Sequence, residues 1–286
     1  MVVTVQLKDQ VVEVIRLAAR DAIQSRFRLV SENEVTSKTS PTDLVTECDV
    51  QVEQALTKGL QPLFPDFVII GEEMASEQGL DAIAINRLDK TVIIDPIDGT
   101  YNFAHGISQC GVMVAVREGN ETQLAVLYDP LQDDWVWAIK GLGAYWQNSS
   151  GVAKQLVMPE REANLGQISP FLFDVEQRLP ILEMMAGYDR VISVGCSCHE
   201  YRNLLFGGAT FYLTQRAIKP WDHYAGILAV EEAGGYAAYL DGRRADEVMP
   251  GCNLLVANNQ QKWQDLAAKM KVKLLKEREN SELWIK

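Results

Sequence analysis

The hexapeptide Asp95-Pro96-Ile97-Asp98-Gly99-Thr100 stands at the end of the run Thr91-Val92-Ile93-Ile94. A short β-branched, apolar run of this kind is the pattern of a buried strand, so two carboxylates arrive together where the strand stops. Proline and glycine constrain the backbone between and after them. A buried pair of acids repels and raises its own pKa values unless a hard cation with oxygen ligands offsets the charge, so the segment has the chemistry of a metal site. The alternative is a tight turn with both acids in solvent. An EF-hand calcium loop is a poor match, because it needs acids at alternating positions and a glutamate twelve residues from the first ligand.

A second segment repeats the design. Phe67-Val68-Ile69-Ile70 ends at Gly71-Glu72-Glu73, which predicts a second strand delivering acids to the same sheet edge. Taken alone, a glutamate pair on a surface loop is ordinarily solvated. A third acid, Asp222, lies in Lys219-Pro220-Trp221-Asp222-His223 at the start of a helical pattern that stops at Gly234-Gly235. It either caps that helix or serves a metal beyond it.

Working outward, residues 8–27 carry apolar positions at helical spacing and residues 49–59 predict a second helix. The polar stretch 31–41 between them reads as a loop or mobile arm. Strand-like runs at 112–117, 123–128 and 135–140, separated by turn residues, predict an antiparallel meander. Asn148-Ser149-Ser150-Gly151 is the best candidate for a boundary. It divides the chain into an N-terminal half, 1–147, with helices, an antiparallel sheet and most of the acids, and a C-terminal α/β half, 148–286. Helical patterns at 175–186 and 199–206 and strand-like runs at 209–214 and 235–240 fill the second half. Mixed sheets layered with helices follow, an α/β (mixed α+β) fold.

The whole chain sets limits on partners. Its 39 acidic against 27 basic residues give a net charge of -12, which repels nucleic acid and acidic membrane surfaces. A small phosphorylated substrate remains compatible if bound cations reverse the local field. Apolar runs are too short to span a membrane, and residues 1–7 carry no basic signal-peptide region, so a cytoplasmic location is expected. Five cysteines scattered through 286 residues read as reduced thiols. Cys196, Cys198 and His199 crowd together, but zinc would need a fourth ligand and usually wider spacing.

The Gly-Glu-Glu element, the Asp-Pro-Ile-Asp-Gly-Thr element and the distal Trp221-Asp222, in that order, resemble the inositol monophosphatase family of magnesium-dependent, lithium-sensitive phosphatases. Ser40-Pro41-Thr42-Asp43-Leu44-Val45-Thr46 with Asp49, Lys140-Gly141-Leu142-Gly143-Ala144, Glu232-Ala233-Gly234-Gly235 and Ala257-Asn258-Asn259 extend the likeness over nearly the whole chain. The resemblance implies a layered α/β/α/β/α sandwich of the inositol monophosphatase / fructose-1,6-bisphosphatase type, assembled as a homodimer. It implies about two to three Mg²⁺ ions on Glu72, Asp95, the Ile97 carbonyl, Asp98 and Asp222, with Glu73 in a further shell. Asp49 and Thr100, with Glu72, would activate a metal-bound water, and the backbone of Gly99 and Thr100 would hold phosphate. The implied activity is hydrolysis of a small phosphate monoester, such as an inositol monophosphate-like polyol or sugar phosphate.

Departures from the family pattern fall around the substrate. Gln215 stands seven residues before Asp222, where inositol-selective members carry a glutamate, and Tyr101 replaces a common threonine. Gly195-Cys196-Ser197-Cys198-His199-Glu200-Tyr201-Arg202 replaces a stretch of small residues. Gly195, Cys196, Ser197, Arg202, Gln215, Asp98 and Asp222 are the expected substrate contacts, with Arg202 suited to a second phosphate or a carboxylate, or else to a surface salt bridge. A nucleotide 3'-phosphate, a fructose bisphosphate or histidinol phosphate is the alternative substrate. A catalytically silent module that binds phosphorylated ligands is the alternative of a different class.

Overall fold

The computed structural model describes residues 2–215, 218–249 and 251–281. In chain order the helices are α1 (Val5–Ile15), α2 (Asp21–Arg26), α3 (Glu47–Leu60), α4 (Glu72–Gln78), α5 (Ala82–Asn86), α6 (Thr100–Ala104), α7 (Val175–Met185), α8 (Ser197–Leu205), α9 (Pro220–Glu232) and α10 (Gln260–Ser281). A short hairpin pairs β1 (Val35–Ser37) with β2 (Leu44–Thr46). The first large sheet contains, in order, β3 (Val68–Gly71), β4 (Lys90–Asp98), β5 (Gly111–Glu118), β6 (Glu121–Asp129), β7 (Asp134–Ile139), β8 (Gly143–Asn148) and β9 (Ala153–Leu156). The second is built from β10 (Leu165–Ile168), β11 (Arg190–Ile192), β12 (Phe211–Thr214), β13 (Tyr236–Tyr239) and β14 (Leu254–Ala257), in the order β11-β10-β12-β14-β13.

Three hydrophobic cores separate five layers, α/β/α/β/α. Alternate residues of a strand point to opposite faces. Val92, Ile94, Val114, Val116, Val126 and Trp137 therefore pack under α1 and α3. Their neighbours Ile93, Ala115, Ala125, Ala138 and Ala144 face the central helices α8 and α9. Small alanines recur on this second face, one on each of β5 to β8, and α9 answers them with Ala225 and Ala229, so helix and sheet approach closely. Beyond α8 and α9, Tyr212, Ala237 and Val256 of the second sheet close the same core. The far side of that sheet, with Phe211, Leu213 and Leu255, is covered by α7 and α10.

The predicted strands 67–70 and 91–94 are parallel neighbours, with Gly71 opposite Ile94, so both acidic ends meet at one edge. The meander is antiparallel throughout. Two expectations need refinement. The opening helix runs unbroken from Val5 to Arg26, earlier in its start than the expected 8–27. It begins at Val5, because Thr4 caps the Leu7 amide through its side chain at 3.2 Å, and it passes through a π-helical turn at Arg16–Arg20 before α2. The polar stretch 31–41 carries β1, because Val35 and Thr36 find a partner strand in Val45 and Thr46, residues far enough away to escape a local reading.

Gly226 marks where α8 and α9 touch. A Cβ built there lies 2.0 Å from Cδ2 of Tyr201. Gly226→Ala is expected to lower stability by about 1–3 kcal/mol through overpacking, although alanine is the better helix former by about 1 kcal/mol. Urea unfolding reads this as a lower midpoint with an unchanged slope. A midpoint at or above the wild-type value would contradict the close contact.

Candidate active site

β4 delivers Asp95 and Asp98 at its C-terminal end, where the pairing with β5 is irregular between those two residues. α4 begins with Glu72 directly after β3. α9 begins on Lys219 as its N-cap, with no side-chain cap, so Asp222 is free of the capping role and turns to the cluster. Asp95, Asp98 and Asp222 each place a carboxylate oxygen within 4.8 Å of the others. The Asp95 Oδ1 atom is buried without a hydrogen-bond partner among the described residues.

Burial pushes the Asp95 and Asp222 carboxyls well above the ordinary carboxylate range, and neighbouring acids push them further. The two lie within hydrogen-bond reach of each other. Such a pair stays together without a cation by sharing a proton. Asp98 is raised to about 6, burial outweighing three donors: the Ser197 amide at 3.1 Å, the Cys198 amide and the Cys196 thiol at 3.2 Å. The N-terminus of α8 thus grips Asp98. An orphaned buried oxygen and a cluster of hard oxygen donors fit a divalent cation.

Glu72 lines the same cavity as this cluster. Its Oε1 accepts from the Lys38 ammonium at 2.9 Å, and Glu73 Oε1 accepts from the same ammonium at 2.7 Å. Burial and the Glu72 charge raise Glu73 to about 8. Asp49 holds two jobs. Its Oδ2 accepts from the Thr46 amide at 2.8 Å and hydroxyl at 2.5 Å as the capping box of α3, while Oδ1 accepts from Thr100 Oγ1 at 3.0 Å. Burial, resisted by these donors, brings it to about 6. Thr100 Oγ1 also lies 2.9 Å from the Ile97 carbonyl.

A cavity of about 500 Å³ gathers Glu72, Asp95, Ile97, Asp98, Gly99, Thr100, Gly195, Cys196, Ser197 and Asp222. Gly99 has φ +80, and a side chain there would meet the Gln109 carbonyl at 2.9 Å, so glycine is required. Two expected substrate contacts are elsewhere. Arg202 is buried on α8 with its guanidinium turned to the Leu127 carbonyl at 3.1 Å and the Asp134 carboxylate, because a buried guanidinium needs a carboxylate partner. Gln215 is buried against Asp174. Neither lines the cavity. Cys196, Cys198 and His199 do not converge either: His199 Nε2 lies 3.0 Å from the Cys110 carbonyl, and Cys198 Sγ faces the Tyr128 carbonyl at 3.8 Å.

The sequence reading missed Lys38, Glu53 and Glu200. Glu53 Oε2 and Oε1 accept from the Glu73 and Met74 amides at 2.8 and 2.9 Å, pinning the first turn of α4. An acid on the buried face of α3 was a signal, because buried acids need donors.

Known proteins match this chain over most of its length. The family model described as the Inositol monophosphatase family covers residues 4–276. A fructose-1,6-bisphosphatase/inositol-1-monophosphatase of Thermotoga maritima is 30% identical over 215 residues, 75% of this chain and 78% of that protein. An inositol-1-monophosphatase of Caulobacter vibrioides is 31% identical over 254 residues, 86% of this chain and 94% of the relative. Among solved structures, an IMPase of Thermotoga maritima superposes with a TM-score of 0.74 at 24% identity, over 93% of this chain and 96% of its own.

The raised carboxyls predict a coupling between cation and pH. A carboxyl whose folded pKa exceeds its unfolded value favours folding while protonated. Without a cation, these groups therefore destabilise the fold as pH rises from the ordinary carboxyl value of 3.8 through about 6, the range for Asp49 and Asp98. Mg²⁺ needs the carboxyls of the cluster, Asp95, Asp98 and Asp222, ionised, so its gain in Tm is expected to be larger at pH 8 than at pH 5. Equal gains in a thermal-shift series would separate the cation from these acids.

Proposed function

The chain belongs to the inositol monophosphatase family and hydrolyses phosphate monoesters, and on that premise we propose that it does so with Mg²⁺ held by the acidic cluster of the cavity. The observation that carries this is the convergence of Asp95, Asp98 and Asp222, with one Asp95 oxygen buried and unpartnered. Glu72 and the Ile97 carbonyl complete the donor set for about two to three ions, and Glu73 supports Glu72 from behind. When bound, Mg²⁺ offsets the carboxylate charge, raises the acidity of water and stabilises charge on the phosphoryl oxygens.

The residues of the chain supply orientation and proton transfer. Thr100 Oγ1 takes the proton of the attacking water as it passes its own to Asp49 Oδ1, 3.0 Å away. Asp49 is fixed for this by Thr46 on its other oxygen, and a value near 6 suits a general base at neutral pH. The backbone of Gly99 and Thr100 holds the phosphate, and Gly195, Cys196 and Ser197, gripped through Asp98, form the adjoining wall. In this reading residues 1–147 supply most metal ligands, and residues 148–286 supply Asp222 and the substrate wall. Free cysteines throughout support a cytoplasmic location. Val175, Leu179 and Leu182, exposed on one face of α7, support a homodimer.

Phosphate release from a panel of monoesters tests the proposal, with Mg²⁺-dependent turnover of a polyol or sugar phosphate as the expected result. Absence of turnover with every ester would overturn it. Asp95→Asn is expected to keep the fold and lose roughly 10²-fold or more in kcat, the scale of one charge-stabilising group. Thr100→Val should lose roughly 10²–10⁴-fold, with Thr100→Ser retaining most activity. Full activity in Thr100→Val would remove the hydroxyl from the proton path.

A further inference from the structure

Glu200 has no part in the chemistry described above, yet it lines the catalytic cavity. It lies on the first turn of α8, directly after the Cys196–Ser197 wall. It is 2% exposed, and its Oε1 is buried with no hydrogen-bond partner among the described residues. Its backbone is clamped: the Glu200 carbonyl accepts from Gln167 Nε2 at 2.6 Å, and its amide donates to the Cys196 carbonyl at 2.9 Å. Gln167 is in turn held by Asn203 at 3.0 Å. Tyr212, Ser169 and Ser193 line the same cavity, the two serine hydroxyls 2.6 Å apart. Burial is the strongest influence on the carboxyl and raises it to about 7, against the pull of Tyr212 and the Val194 and Gly195 amides. Among the described residues, no cation is a leading influence on it.

A rigid acid with one unmet oxygen, facing a cavity that binds substrate, is built to meet a group of the ligand. The Tyr212 hydroxyl beside it, and the absence of an ion pair to Glu200 among the described residues, favour an uncharged partner. A hydroxyl suits both forms of the carboxyl, donating to the anion or accepting from the acid. We propose that Glu200 is a specificity-determining residue, whose free Oε1 binds a hydroxyl of the alcohol being released and selects esters of polyhydroxy alcohols. This takes the place of Gln215, which is turned to Asp174, and it rests on the phosphomonoesterase reading above.

The test compares kcat/KM for Mg²⁺-dependent phosphate release from inositol 1-phosphate and from phenyl phosphate, which has no further hydroxyl. In Glu200→Ala the ratio of the two is expected to fall by about tenfold to a hundredfold, mainly through KM, the scale of leaving one buried polar group unmet. Glu200→Gln, nearly isosteric, should recover part of the ratio and guards against a folding defect in the alanine variant. An equal loss on both esters would assign Glu200 a structural role, and an unchanged ratio would exclude it from recognition. Paired 2-hydroxyethyl and 2-aminoethyl phosphates complete the test: a wild-type preference for the amine that disappears in Glu200→Gln would replace the hydroxyl assignment. Turnover of phenyl phosphate with an unchanged ratio sinks this inference alone, whereas failure of the wild type on every ester sinks the phosphatase reading.

Discussion

The repulsion among Asp95, Asp98 and Asp222 is the constraint around which the molecule is arranged. Three carboxylates within 4.8 Å are unfavourable in a buried place, and the fold holds them there with the same elements that build its cores. Strands β3 and β4 run parallel with Gly71 opposite Ile94, so acids from two distant segments arrive at one edge. The N-terminus of α8 supplies two amides and a thiol to Asp98. The energy for this assembly comes from the cores on either side of the first sheet, whose strands β4 to β7 are buried on both faces.

Close packing then decides which helix reaches the edge. The alanine-rich face of β5 to β8 lets α9 lie near the sheet, and Gly226 lets α8 lie near α9. A bulkier interface would lift Asp222 away from Asp95. The same economy of space places Asp49 under Thr100: α3 packs on the opposite face of the sheet and uses Asp49 both as its own capping box and as the partner of the Thr100 hydroxyl. Site and fold therefore share residues, and neither is separable from the other.

Much of this was legible in the sequence, because strand ends and glycine punctuation are local signals. The runs before Gly71 and before Asp95 identified two strands, and their acids had to point the same way once the strands paired. Helix faces were less legible. Arg202 and Glu200 lie two residues apart on α8, and composition favoured the arginine as the substrate contact. The helix instead turns Arg202 onto Asp134 and Glu200 to the cavity wall, a choice set by the rotation of α8 against the sheet. Lys38 and β1 escaped for another reason, since their partners lie across a loop closed by tertiary contacts. Gln215 occupied the position where charge was expected, and only the neighbouring Asp174 explains where it faces.

The central claim is that a cation replaces protons held in the acidic cluster. Calorimetric titration of the cation-free protein with Mg²⁺ at neutral pH, repeated in buffers of different ionisation enthalpy, counts the protons released on binding. Saturable binding with release of about one proton or more is expected, because Asp95 and Asp222, within hydrogen-bond reach of each other, share one before the cation arrives. Binding with no proton release, or release that survives unchanged in Asp95→Asn, would contradict it.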